Sequence, residues 1–219
     1  MEISSGEIKK IERAYIKFNK ELFYNELPDC FFTYQRKSNA VGIFIFKSFQ
    51  EKNGTKTISE ISLNPDCFTN RPDMVILSDL AHEMCHVWQA YNGHPSRAGY
   101  HNREWADKMK SIGLMPSSTG KPGGKTTGQN MSDYIIENHH MFHHHAQTLI
   151  NRGFSISWAS IRREKQISSG SGQVKAKNKI KYTCPECGAN VWGKPGLHIL
   201  CLVCDLPFDR VQGQDDTTG

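Results

Sequence analysis

The chain has 219 residues, of which 37% are hydrophobic and 10% aromatic, with a mean hydropathy of −0.55. That allows one modest catalytic domain plus a small appendage and excludes two full domains at roughly 100–200 residues each. No run approaches the ~18 consecutive apolar residues of a membrane span, and Met1-Glu2-Ile3-Ser4-Ser5-Gly6-Glu7 lacks the apolar core of a signal peptide. A cytoplasmic, non-secreted protein is expected, in which seven cysteines are metal ligands or thiols rather than disulfides. The net charge of +5 is compatible with nucleic acid without establishing it.

Between residues 7 and 23 the side chains Ile8, Ile11, Tyr15, Phe18, Leu22 and Phe23 fall mostly three or four apart. This is the period of an amphipathic helix, and Leu27-Pro28-Asp29 stops it. Stretches at 31–36, 40–46 and 60–63 are rich in β-branched and aromatic residues, with Lys37-Ser38-Asn39 and Asn53-Gly54 as turns between them; they predict strands. A second helix is expected from Asn70-Arg71-Pro72-Asp73 to Tyr91, with Asn70 as its cap and Asn92-Gly93 as its end. A third runs from Asn102 to Ile112 and closes at Gly113. The stretch 116–125, dense in Pro, Gly, Ser and Thr, reads as loop. A strand at 134–136, a helix at 141–150 and a strand at 154–158 follow. Ser168-Ser169-Gly170-Ser171-Gly172-Gln173 has linker composition. The expected division is a main domain at 1–167, a flexible basic linker at 168–178, a cysteine-bearing module at 179–210 and a disordered tail at 211–219.

The second helix contains His82-Glu83-Met84-Cys85-His86. Histidines four apart stand one above the other on a helical face, so both imidazoles can reach one metal ion. Glu83 lies to the side, where it can take a proton from a metal-bound water without being a ligand. Val75-Ile76-Leu77-Ser78-Asp79-Leu80-Ala81 makes the helix largely apolar, and burying two histidines and a glutamate there without a ligand is expensive. A pair of hydrogen-bonded core histidines is the plainer alternative. A catalytic zinc takes three protein ligands and keeps one position open. Downstream stand His94, His101 and the cluster His139, His140, His143, His144 and His145. His101 is the best placed, opening the next helix after a loop long enough to fold back; His94 sits too near the helix end.

The run Leu77-Ser78-Asp79-Leu80-Ala81-His82-Glu83-Met84-Cys85-His86-Val87-Trp88-Gln89, followed by Gly99-Tyr100-His101-Asn102-Arg103-Glu104-Trp105, resembles the SprT-like, or Spartan-type, metalloprotease domain. In that family a histidine opening the next helix, commonly written His-Gly-x-x-Phe, supplies the third ligand. Asn102 stands here for the Gly and Trp105 for the Phe. The metzincin continuation does not fit, because Gln89 and Asn92 stand where its glycine and third histidine belong. The resemblance is close over 74–115 and looser over 5–160, through Asn19-Lys20-Glu21-Leu22-Phe23, Leu27-Pro28, Gly42 and Ile61-Ser62-Leu63-Asn64-Pro65. It implies an α+β fold, a small zincin-like domain built of an N-terminal helix, a short sheet and the His-Glu-x-x-His helix. It also implies a catalytic zinc on His82, His86 and His101, Glu83 as general base, and a protein substrate attached to DNA.

Cys184-Pro185-Glu186-Cys187 and Cys201-Leu202-Val203-Cys204 are two knuckles separated by 13 residues, each followed by a residue able to turn tightly, Gly188 and Asp205. This is the pattern of a four-thiolate zinc ribbon with a slightly short spacer. Closed tetrahedral coordination makes that metal structural, and a piece of this size needs it to fold. Iron could use the same thiolates; zinc is the default. Such ribbons follow the protease domain in SprT-like proteins. Cys30, Cys67 and Cys85 remain as core thiols.

Gly120-Lys121-Pro122-Gly123-Gly124-Lys125-Thr126 invites a phosphate-loop reading, but Thr119 stands where its first glycine belongs. A flexible basic loop at the active-site rim is expected instead. The cluster at 139–145 reads as a solvated face or a second metal site, and Tyr100 and Tyr134 offer hydroxyls for an oxyanion. Arg162, Arg163, Lys165, Lys175, Lys177, Lys179 and Lys181 stand against one acid, Glu164. With Tyr182, Trp192 and Lys194 they have the charge and stacking groups of a nucleic-acid reader; a solubilising linker with Trp192 in the ribbon core is the alternative. The sequence thus predicts a protease with one catalytic and one structural Zn²⁺, DNA as partner, no membrane partner, and a cytoplasmic or nucleoid location. Two other functions stay open: a DNA-binding scaffold with a vestigial site, and a metallohydrolase of small amides or peptides.

Overall fold

Ile11, Ala14, Tyr15, Phe18 and Leu22 are buried together on one face of α1 (Ile3–Leu22), the stripe that their spacing predicts. The helix begins ahead of residue 7, with an exposed Ile3 and the small residues Ser4, Ser5 and Gly6 in its first turn. The computed structural model describes residues 3–36, 40–161 and 180–210. The chain divides into two units, Met1–Arg162 and Arg163–Gly219, each treated by itself below.

In the first unit, β1 (Cys30–Tyr34), β2 (Gly42–Gln50) and β3 (Thr57–Leu63) form a sheet in the order β1-β3-β2. The central β3 runs parallel to β1 and antiparallel to β2. β2 and β3 run beyond the expected 40–46 and 60–63 as a hairpin arm, whose exposed, partly polar residues lack apolar alternation. The ladder shifts register between Ile45 and Phe49, where Lys47 has a φ of 46° and its N–H donates to Ser59 Oγ at 2.9 Å. The expected turn at 37–39 lies outside the described residues.

α2 (Asp73–Asn92) buries Ile76, Leu77, Leu80, Ala81, Met84, Cys85 and Val87, nearly all round its circumference, as a central helix must. Its cap is Pro72 rather than Asn70, which takes a left-handed φ of 60° in the preceding turn. α3 (Arg103–Ile112) begins as expected, the Asn102 side chain accepting the Trp105 N–H, and ends at Gly113 with φ 100°. β4 (Leu114–Ser117) then pairs antiparallel with β5 (Ser132–Ile135). The loop expected from 116 therefore starts later, since Pro116 and Ser117 belong to a two-stranded ribbon whose free edge tolerates proline. α4 (His140–Asn151) packs on α1 through Phe18 and Phe142, centroids 5.6 Å apart.

The segment 154–158, expected as a strand, joins no ladder. Side chains on the helices satisfy its backbone instead: Ile156 N–H donates to Asp73 Oδ1 at 3.1 Å and Ser157 N–H to Glu7 Oε2 at 3.2 Å. Alternation of Phe154, Ile156 and Trp158 looks like a strand whether the acceptors are carbonyls or carboxylates. Among the described residues no helix is long and apolar enough to cross a membrane.

The second unit contains β6 (Ile180–Thr183), β7 (Asn190–Gly193), β8 (Leu200–Cys201), β9 (Leu206–Pro207) and β10 (Asp209–Arg210). They form one sheet of order β10-β6-β7 and one pair β8-β9. Among its described residues only Tyr182, Cys184 and Cys201 are buried. Tyr182 is core rather than a stacking group: its hydroxyl donates to Lys194 O at 2.7 Å and accepts the Leu197 N–H at 3.1 Å. Trp192 lies outside that core and is 63% exposed.

Candidate metal centre

His82 and His86, one turn apart on α2, hold their rings 5.2 Å apart, and His101 joins them from the residue preceding the α3 cap. The ligand atoms of the three all lie within 4.8 Å of one another, and His82 Nε2 stands 3.2 Å from His101 Nε2. Two nitrogens on a tetrahedral zinc, each bonded at about 2.0–2.1 Å, sit roughly 3.3 Å apart, so the spacing fits a shared ion. Trp105, fully buried one turn along α3, floors the trio. Its ring meets His82 and His101 edge-on at 4.7 and 4.4 Å and stacks on His86 at 5.2 Å. The aromatic position after the third histidine is thus the platform under all three rings.

Burial and the neighbouring His82 and His101 charges hold the His86 pKa well below the ordinary histidine range. Burial and the charge of His82 bring His101 down to about 4. For His82 burial also lowers the pKa, but the hydrogen bond with Asp133 and the charge of Glu83 outweigh it and the net shift is upward. Neutral imidazole is the form that binds metal, and the packing of His86 and His101 keeps them in it.

A clamp that the sequence reading missed sets His101 in place. Gln89 Nε2 donates to Asn102 Oδ1 and to Glu104 Oε2, both at 2.7 Å, while the His94 N–H donates to Glu104 Oε2 at 2.7 Å and Asn102 Nδ2 to His94 O at 3.1 Å. The end of α2 is thereby tied to the start of α3. Gln89, Glu104 and Asn102 are neither apolar nor ligands, so no periodicity or spacing marks them. His94 takes part through its backbone and through Nδ1, which faces Glu104 Oε1 at 3.3 Å, although its side chain is 96% exposed. From the other side, His101 and Gly128 exchange backbone hydrogen bonds at 2.8 and 3.1 Å, and His101 Nδ1 faces Gly128 O at 3.2 Å. The glycine-rich loop closes on itself, Ser117 Oγ donating to Lys121 O at 2.6 Å and accepting the Lys121 N–H at 3.2 Å. The run that mimics a phosphate loop is a turn whose far end reaches a histidine.

Glu83, 6% exposed, points beside the trio at β2. Burial pushes its pKa above the ordinary range against the pull of the His82 charge and of the Phe44 backbone. A Cβ at Gly42 would lie 2.9 Å from both Cγ and Oε1 of Glu83, so this strand glycine admits the carboxylate. Gly42→Ala is expected to displace the Glu83 carboxylate while metal uptake by the three histidines, read by elemental analysis, stays at the parent level.

Around the trio lies a cleft of about 730 Å³ lined by Gly42, Phe44, Asp79, Arg97, Tyr100 and Asp133 among others. Tyr100 is on this wall; Tyr134 is absent from it. Asp79 pairs with Arg71 at 3.0 Å, and its carboxyl is pushed by burial up to about 7 despite that partner.

In the second unit the Sγ atoms of Cys184, Cys187, Cys201 and Cys204 lie within 4.8 Å of one another, with Cys187 and Cys201 at 3.7 Å. Thiolates on a tetrahedral zinc, at about 2.3 Å each, stand roughly 3.8 Å apart. Gly188 and Asp205 turn each knuckle with φ of 69° and 55°. The N–H groups of Cys204 and Val203 hold the Cys201 thiol down to about 7, towards the thiolate that binds metal.

Among the described residues these two sets are the only groups of metal-ligating side chains that converge. The 139–145 histidines run from the cap of α4 along the helix, His145 facing Glu21 at 3.9 Å and the His144 ring at 5.0 Å. Lys181 and Trp192 are cross-strand partners on β6 and β7. Arg162, Arg163, Lys165, Lys175, Lys177 and Lys179 lie outside the described residues, as do the expected linker and tail.

The family profile described as the SprT-like family matches residues 11–126, just over half of the chain. A protein of Salmonella typhimurium bearing the name "uncharacterized protein in mucB 3'region" is 42% identical over 52 residues, 24% of this chain and 70% of that protein.

Proposed function

The chain belongs to the SprT-like family, and from that premise we propose that it is a zinc-dependent protease of zincin-like fold acting on DNA-associated proteins. The convergence of His82, His86 and His101 beside the buried Glu83 carries this reading. His82, His86 and His101 would hold a zinc ion, which would supply the Lewis acidity that acidifies a water and polarises a carbonyl. Glu83 takes the proton from the attacking water and hands it to the leaving amine. The space left at Gly42 admits its carboxylate beside the trio, and the Phe44 backbone favours the ionised form. Among the described residues β2 pairs with β3 alone, and its Gly42–Phe44 stretch lines the cleft. An extended peptide added along that edge meets main-chain partners and lies beside the histidines. The Cys184, Cys187, Cys201 and Cys204 ribbon holds a structural zinc. Exposed Trp192, with Lys181 across the ladder, offers a stacking face and a charge to single-stranded DNA.

The test is incubation with a protein crosslinked to single-stranded DNA, with and without chelator. Chelator-sensitive cleavage that exceeds cleavage of the same protein free of DNA is expected. Cleavage that survives metal removal overturns the zinc mechanism. Equal cleavage with and without DNA removes the DNA part and favours a hydrolase of peptides at large.

A further inference from the structure

We propose that Asp133 is the positioning residue of the metal centre: its carboxylate takes the Nδ1–H of His82 and so commits Nε2 of that ring to the metal. The proposal rests on the metal-centre reading above. Asp133 Oδ1 faces His82 Nδ1 at 3.4 Å, and the side chains are 6% and 13% exposed. A neutral imidazole carries one proton, and the nitrogen that faces an acceptor oxygen is the one that keeps it. Nε2, 3.2 Å from its counterpart on His101, is left with the lone pair.

The surroundings give Asp133 little else to do. Among the described residues its ion-pair partner is His82, and no lysine or arginine pairs with it. A carboxylate buried without a basic partner is costly, and a cation on the far side of the ring it faces offsets that cost. At 3.4 Å the contact is longer than the ~2.9 Å optimum, so orientation and charge matter more here than the bond's own strength. Asp133 stands on β5, in register with Pro116 of β4. Five residues earlier the same segment offers the Gly128 carbonyl to Nδ1 of His101. One stretch, 128–133, therefore presents acceptors to Nδ1 of two of the three histidines, and it lies beyond the 11–126 span of the family match. Metal ligands are commonly oriented by such outer partners, at 10–100-fold in affinity.

The experiment uses the full chain, stripped of metal and reloaded with cobalt(II). Histidine coordination gives visible bands distinct from the thiolate charge-transfer bands of the ribbon, and competition with a chelator yields each affinity separately. Asp133→Ala is expected to weaken the histidine site by roughly 10–100-fold, leave the ribbon bands unchanged and abolish the slowly exchanging His82 Nδ1–H proton resonance. Asp133→Asn keeps an acceptor oxygen without the charge and is expected to fall between Ala and the parent. Parent-like affinity in the Ala variant, or in the isosteric Asn variant if the Ala variant does not fold, overturns the proposal alone. Absence of histidine-type bands in the parent overturns the metal-centre reading and this proposal together.

Discussion

Glu83→Gln is expected to lower peptide hydrolysis by about 10²–10⁴-fold, the usual worth of a positioned general base, while the protein still takes up zinc at the histidine site. The amide has the shape of the carboxylate, so it fits the space left by Gly42. His82, His86 and His101 keep their packing on Trp105, because none of those ring contacts involves Glu83. What the variant lacks is a group able to hold a proton between water and the leaving nitrogen. The fold supplies a control. Burial raises the Glu83 pKa, so the ionised form is disfavoured in the folded chain and a neutral amide escapes that penalty. The melting temperature of the metal-free variant is therefore expected at or above that of the parent, which separates lost chemistry from lost folding. Residual hydrolysis near the parent rate with zinc bound would remove Glu83 from the mechanism.

The two candidate ligand sets, whose side chains converge, were legible in the sequence because their signal is spacing along a single element. Histidines four apart on a helix and cysteines three apart in a knuckle meet as a consequence of local geometry alone. His101 was legible for a second reason, the resemblance around 99–105. What supports these ligands was not legible. Asp133, Glu104 and Gln89 are single polar residues that reach the site through the pairing of β4 with β5 and through the tie between α2 and α3. No periodicity marks them. Gly42 carried a faint signal, as a glycine within a strand, but its meaning depends on Glu83 arriving from another element. The misread elements share a cause. In the 154–158 segment and the 116–117 strand, backbone groups find partners that composition does not reveal: helix carboxylates in one case, a strand fifteen residues later in the other. Tyr182 and Trp192 are both aromatic residues in short strands, and only their neighbours decide which is core.

Removing the ribbon's metal is expected to unfold residues 180–210 while leaving the first unit folded. The first unit has a broad apolar core drawn from α1, α2, α3 and the sheet. The second has almost none: among its described residues only Tyr182, Cys184 and Cys201 are buried, and Leu202 and Val203 at the second knuckle are 91% and 89% exposed. So little apolar burial does not offset the cost of ordering the chain, at about 1–2 kcal/mol per residue for the backbone. Metal binding by the four thiolates is coupled to folding and contributes free energy that the apolar core lacks. Cys201→Ser is the sharpest probe. Its thiol is buried, stands 3.7 Å from that of Cys187 and is held towards the thiolate by the knuckle amides. In amide correlation spectra this variant is expected to lose the dispersed resonances of 180–210 and to keep those of the first unit, with one zinc fewer per chain. Hydrolysis of a free peptide should continue, because His82, His86, His101 and Glu83 all belong to the first unit. Cleavage of a DNA-bound protein should fall, because Trp192 and Lys181 lose the ladder that sets them side by side. Dispersed ribbon resonances in metal-free protein would show that the four cysteines do not hold this unit together.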